Sequence, residues 1–192
     1  MPEVLLNGVL VGQRICVAFS GDALSQRLSA LGAELVTWPA TPASGEEADT
    51  VAAQAASEIG TVDVVLVDAG EAFRGDDSAA PVERLRAASD DGFVVLRAIA
   101  NAAWIEPQVQ GGKIVLLAPA ESDGEYAPAV GAALENTART LSVEWARYGI
   151  RVVAIAPRVG VADSALAELV AVIASPAGDY FSGCTLRPGA VA

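Results

Sequence analysis

Short unbroken apolar runs alternate with helical stripes along the whole chain, and that alternation leaves few folds open. Arg14–Phe19 is an apolar run closed by Ser20 and Gly21. From Asp22 to Leu31 the leucines fall at 24, 28 and 31, the spacing of one helix face. Gly32 ends that helix, and Ala33–Trp38 predicts a second strand. The polar stretch Thr41–Glu47 predicts a loop, and Ala48–Ile59 a helix stopped by Gly60. Val62–Val67 is a third apolar strand, closing on Asp68, Ala69 and Gly70. Pro81–Pro107 predicts mostly helix, interrupted around Asp90, Asp91 and Gly92. Gly111 and Gly112 lead into a strand over Lys113–Leu117. A long helix over Pro128–Arg147 turns at Tyr148 and Gly149 into the strand Ile150–Ile155. A helix over Ser164–Ala174 and a last strand near Cys184–Leu186 follow. Strands without alternation are buried on both faces, and strands alternating with helices pair in parallel. The fold class is therefore α/β, a doubly wound, Rossmann-like parallel sheet. No repeat or linker splits the chain, so residues 1–192 form one expected domain.

Composition narrows the function. The formal net charge is −12, so a nucleic-acid duplex or an anionic membrane surface would repel the chain. No apolar run approaches the roughly 18 residues of a membrane span. No leader pattern of charged, apolar and then small residues is present, and the expected location is the cytoplasm. Hydrophobic residues make up 53%, much of it Ala and Val. Either extra buried surface at a subunit interface or a general Ala-rich bias accounts for that excess. Histidine is absent, which removes Ser-His-Asp and Cys-His catalysis and most zinc sites. Lys113 is the only lysine, and Cys16 and Cys184 are expected to be packing thiols in buried strands.

Four stretches together resemble the short-chain dehydrogenase/reductase family. Val62-Asp-Val-Val-Leu-Val-Asp-Ala-Gly70 resembles the strand ending in the family's Asn-Ala-Gly. Gly111-Gly-Lys-Ile-Val-Leu-Leu-Ala118 resembles the strand that ends in its catalytic serine. Ala132–Leu141, running on to Tyr148–Pro157, resembles its catalytic helix and the strand leading to its Pro-Gly motif. Ile173–Leu186 resembles its closing helix and strand. The resemblance implies NAD or NADP chemistry, with a glycine-rich turn of the form Thr-Gly-x-x-x-Gly-x-Gly wrapping the pyrophosphate.

Position by position, those groups are missing. Only Ser20 and Gly21 join strand to helix, and Asp22 stands where cofactor phosphate charge would go. The second strand ends Thr37-Trp38-Pro39 without the acid that holds the adenine ribose. Trp38 is expected to fill the vacated groove, with stacking on a base as the alternative. Asp68 replaces the family's Asn. Alignment on Ala132-Ala133-Leu134 puts Ala127 at the tyrosine position, Gly131 at the lysine position, and Ala118 or Pro119 at the serine position. Tyr126 points about 100° away from Ala127 on a helix. Ser122 is the nearest hydroxyl. The substrate lid is expected to be deleted, because the helix at Ser164 follows Pro157 almost directly.

The expected site therefore has no catalytic, cofactor-binding or metal residues in this chain. The regions through which the family associates are retained. Ala133, Thr137 and Thr140 form a small-residue face at helical spacing, and Tyr180, Phe181 and Leu186 lie in the second such region. A lightly solvated face is the alternative for the first three. The expected function is a non-catalytic subunit that stabilises an active homologous subunit, which would carry NAD or NADP. The alternatives are a ligand-binding protein and a residual NAD(P)-dependent oxidoreductase using Tyr126, Ser122, Asp68 and Asp22.

Overall fold

Six strands, all parallel, run in the order β2-β1-β3-β4-β5-β6. The structure, a computed structural model, describes residues 5–38, 46–74, 79–109 and 111–189. The strands are β1 (Arg14–Ala18), β2 (Glu34–Thr37), β3 (Val64–Asp68), β4 (Gly112–Leu117), β5 (Ile150–Ile155) and β6 (Cys184–Leu186). β3 is buried at every residue and β4 and β5 at all but one, as the unbroken apolar runs require.

Seven α-helices cover the sheet among the described residues: α1 (Asp22–Ala30), α2 (Glu46–Ile59), α3 (Ala69–Arg74), α4 (Pro81–Arg86), α5 (Gly92–Ala100), α6 (Ala127–Glu144) and α7 (Asp163–Ala174). One face of the sheet packs on α1 and α7 through Leu24, Leu28, Val170 and Ile173. The other packs on α2, α5 and α6 through Ala55, Ile99, Leu134 and Ala138. The expected doubly wound sheet is thus present, with a core on each side.

Some expected boundaries move. Helix α2 begins at Glu46 rather than Ala48, and residues 41–45 of the expected loop lie outside the described residues. The strand expected over Val62–Val67 is β3, Val64–Asp68, and Ala69 and Gly70, on which it was expected to close, open α3. The interruption expected near Asp90 is a π-helical segment, Ala87–Asp91, so the chain stays helical into α5. A second π segment, Asn101–Ile105, follows. Helix α6 stops at Glu144, and Ala146–Tyr148 form a 3₁₀ turn before Gly149 enters β5 with φ +72°. Of the two expected packing thiols, Cys16 is buried while Cys184 is only half-buried on the edge strand.

Two contacts lock the layers. Trp104 is buried, and its Nε1–H donates to the Val62 carbonyl at 2.8 Å. Its ring lies so close to Gly112 that a Cβ there would overlap it. Lys113 is also buried, and its Nζ donates to the carbonyls of Ser175 (2.6 Å) and Ala174 (3.2 Å) at the C-terminus of α7. It also pairs with Asp179 at 2.8 Å, which holds that carboxyl below its ordinary range. The only lysine is therefore a structural clamp at the start of β4. Gly112→Ala should lower stability by about 1–3 kcal/mol through overpacking on Trp104, measured by chemical denaturation with unchanged far-UV circular dichroism.

Candidate functional site

The strand order reverses between β1 and β3, so the crevice outside their carboxyl ends is where a doubly wound sheet binds ligands. A cavity of about 300 Å³ lies there. Its floor is Leu117 and Ala118 at the end of β4 and Pro157 after β5. Leu24 of α1 and Leu166 and Ala167 of α7 form an apolar wall. Asp22, Asp68, Glu71, Asp123 and Asp163 supply the negative charge, and Arg74 the positive.

Residues 19–21 join β1 to α1. Phe19 adopts φ +64°, a left-handed conformation that costs a bulky residue about 1–3 kcal/mol. Its side chain packs against the core on the α2 side of the sheet, which offsets that strain. Gly21 caps α1 without a side-chain hydrogen bond, and Asp22 takes the first turn. The Glu71 carboxylate stands over this turn: a Cβ on Gly21 would lie 3.5 Å from its Oε2. An entering phosphate would meet the Asp22 and Glu71 carboxylates beside the single glycine.

Asp68 sits at the tip of β3 with 4% of its surface exposed. Its Oδ1 accepts the Glu71 N–H at 2.9 Å. Burial pushes its carboxyl up to about 6, against the opposing pull of that N–H and of the Arg74 charge. Arg74 is already committed. Its Nη1 donates to Asp123 Oδ2 at 2.7 Å and its Nη2 to Glu71 Oε2 at 3.1 Å. The same Asp123 oxygen accepts the Ala120 N–H at 3.1 Å. The guanidinium thus ties α3 to the 3₁₀ turn Glu121–Asp123 that follows β4.

The positions aligned with the family's catalytic groups are small and apolar. Ala118 lines the cavity floor and Ala127 is buried at the start of α6. At Gly131 a Cβ would meet nothing within 4 Å. Tyr126 precedes α6, partly exposed, and does not line the cavity. Ser122 does line it. Trp38 does not line this crevice; it is buried in the core cluster that includes Ala52 and Ala55 of α2. From Pro157 the chain reaches α7 across residues 158–162 alone, which leaves the crevice without a helical cover.

Asp68 and Asp22, singled out by the sequence, are brought together in the crevice. Glu71, Arg74, Asp123 and Asp163 were missed. A signal existed for the first two: after β3, Asp68, Glu71 and Arg74 recur every third residue, one face of a helix turn. No local pattern ties Asp123 or Asp163 to them. On the outer surface, Ala133 and Thr140 are exposed and Thr137 is half-buried. Tyr180 is 92% exposed, Phe181 is exposed, and Leu186 packs half-buried against the α7 side of the core.

Sheet, crevice and chain order are those of one family. A family profile described as enoyl-(acyl carrier protein) reductase matches residues 12–175. The chain belongs to the short-chain dehydrogenase/reductase family. It is similar to the solved citronellol catabolism dehydrogenase AtuB of Pseudomonas aeruginosa PAO1, at 25% identity, 98% coverage of each chain and a TM-score of 0.73. It shares its fold with BdcA from E. coli, at 18% identity, 94% coverage of this chain, 100% of BdcA and a TM-score of 0.68. It likewise shares its fold with a short-chain dehydrogenase/reductase variant from Serratia marcescens, at 20% identity, 94% and 97% coverage and a TM-score of 0.68. The sequence has no match among curated proteins. No described helix is long and apolar enough to cross a membrane.

The raised Asp68 carboxyl makes the site a source of instability at neutral pH. An unfolded Asp ionises near 3.8, whereas the folded one holds its proton to about 6. Stability is therefore complete below the lower value and is lost as pH rises through the upper one. Asp68→Asn keeps the acceptor for the Glu71 N–H and removes the buried charge. It should gain about 2–3 kcal/mol at pH 7.5 and nothing at pH 3.5, measured by urea denaturation across that range.

Proposed function

We propose that this chain is a non-catalytic member of the family that assembles with an active homologous subunit. The observation that carries the reading is the reversed charge of the crevice. Five carboxylates line it, and the one arginine among them is spent on two of those five. A pyrophosphate is held elsewhere by glycine backbone N–H groups at a helix N-terminus. Here the N-terminus of α1 carries one glycine and faces Asp22 and Glu71. The residues present do not fit the group. The structure of BdcA in complex with NADPH shows that a protein of the same fold binds the cofactor, so the fold itself is no obstacle.

Proton transfer lacks its groups as well. Ala127, Gly131 and Ala118 carry no acid, base or carbonyl-polarising hydroxyl, and Lys113 is held by the C-terminus of α7. NAD or NADP would then be bound by the partner subunit. Two exposed regions are available for association. One is the face of α6 with Ala133, Thr137 and Thr140; the other carries Tyr180 and Phe181 beside β6. Val143, 77% exposed on α6, adds apolar surface to the first.

The test is purification of the N-terminally tagged chain from its native cells, followed by mass determination of the complex. An intact homologue should co-purify in a fixed ratio. Thr140→Arg or Tyr180→Asp should reduce recovery of that homologue at least tenfold while leaving the fold unchanged by circular dichroism. Titration of the isolated chain with NADH or NADPH should give no binding heat. A well-behaved monomer without a homologous partner would sink the reading. So would carbonyl turnover with either cofactor that is lost in Tyr126→Phe.

A further inference from the structure

The guanidinium of Arg74 has more carboxylates within reach than it binds at once. It donates to Glu71 and Asp123, and Asp68 lies across Gly70 from it. A Cβ on that glycine would lie 3.3 Å from Arg74 Nη1 and 3.2 Å from Asp68 Oδ1. The bare glycine therefore leaves an open gap between the arginine and the buried acid. The two acids differ in what they need. Asp123 is anchored without the arginine: its Oδ2 accepts the Ala120 N–H at 3.1 Å, and its own N–H donates to the Ala120 carbonyl at 2.9 Å. Asp68 accepts the N–H groups of Glu71 and Gly70, but it is only 4% exposed, and a full charge there is costly without a cation. Protonated, Asp68 makes no demand on Arg74. Ionised, it attracts the guanidinium more strongly than the more exposed Asp123 does, because Coulomb attraction grows as water is removed. The Arg74 side chain is half exposed, which leaves it free to change partners.

We propose that Arg74 is a proton-gated latch: with Asp68 protonated it clamps Asp123 and the 3₁₀ turn Glu121–Asp123, and with Asp68 ionised its Nη1 crosses above Gly70 to Asp68 and releases that turn. The structure shows the clamped arrangement. Glu71 and Arg74 from α3, Asp22 from α1, Asp123 from the 3₁₀ turn and Asp163 from α7 are the charged groups that share the crevice with Asp68. The four carboxylates oppose its ionisation and Arg74 favours it. Burial adds to the opposition, which sets the changeover near pH 6. The released turn carries Ser122 and Asp123, so the latch decides whether that wall of the crevice is fixed or mobile. This goes beyond the assembly reading and does not depend on it, since the latch lies wholly within one chain.

The experiment is backbone NMR relaxation of the isolated, isotope-labelled chain at pH 5 and pH 7.5. The order parameter of Ser122 should fall from about 0.85 at pH 5 to below about 0.6 at pH 7.5, while that of Val115 in β4 stays at about 0.85. Asp68→Asn, which should fold at least as stably, should keep Ser122 ordered at both pH values. Arg74→Gln, which has no charge to move, should leave Ser122 mobile at both. An equally ordered Ser122 at the two pH values in the unaltered chain would overturn the proposal. A loss of order that persists in Asp68→Asn, or that still depends on pH in Arg74→Gln, would overturn it as well. So would an equal loss at Val115, because the change would then belong to the whole sheet and not to the turn.

Discussion

A parallel sheet must be covered on both faces, because each crossover lays a helix across it, and the rest of this structure follows from that constraint. Helices α1 and α7 take one side and α2, α5 and α6 the other, so β3, β4 and β5 carry apolar side chains on both faces. Trp104 on Gly112 and Lys113 under the last turn of α7 fasten the two helix layers to β4. The strand ends are then held rigidly, and the point where the winding changes direction leaves a crevice whether or not any ligand uses it.

What occupies the rim of that crevice decides its chemistry. In a nucleotide-binding member of such a fold, the backbone at a helix N-terminus supplies positive potential. Here the same potential is met by the chain's own carboxylates. Asp22 and Asp163 sit in the first turns of α1 and α7, and Glu71 stands over Gly21. Arg74 does not restore the balance, because Glu71 and Asp123 have already claimed it. That ion-pair bridge keeps the loop after β4 in place. The protein thus has the fold of the short-chain dehydrogenase/reductase family, with a crevice lined by five carboxylates and one arginine.

How far the sequence could be read differs between core and site. The apolar run at Ile150–Ile155 matched its strand residue for residue, since a buried strand has no freedom to shift its pattern. Helix ends drifted, at Glu46 and at Glu144, because end positions depend on the turn that follows. The break expected around Asp90 was instead a π segment: the acidic pair and Gly92 disfavour helix locally, but packing against α3 and α4 keeps the chain wound. Trp38 shows the same dependence on tertiary packing. Nothing local says which face of the sheet receives a residue just past a strand's end, and it turned under α2.

By itself, the sequence determined the α/β alternation, the parallel pairing that alternation demands, and the presence of a single lysine and no histidine. Those are matters of residue type and short-range order, which a chain carries in one dimension. Only the tertiary structure decided that Glu71, Arg74, Asp123 and Asp163 join Asp22 and Asp68 around one cavity. These residues are distant along the chain, and it is the winding of the strands that brings their helix and loop ends together. It also decided that Asp68 is buried deeply enough to hold its proton to about 6. A carboxyl's ionisation depends on the solvent and charges around it, and neither exists until the sheet has formed.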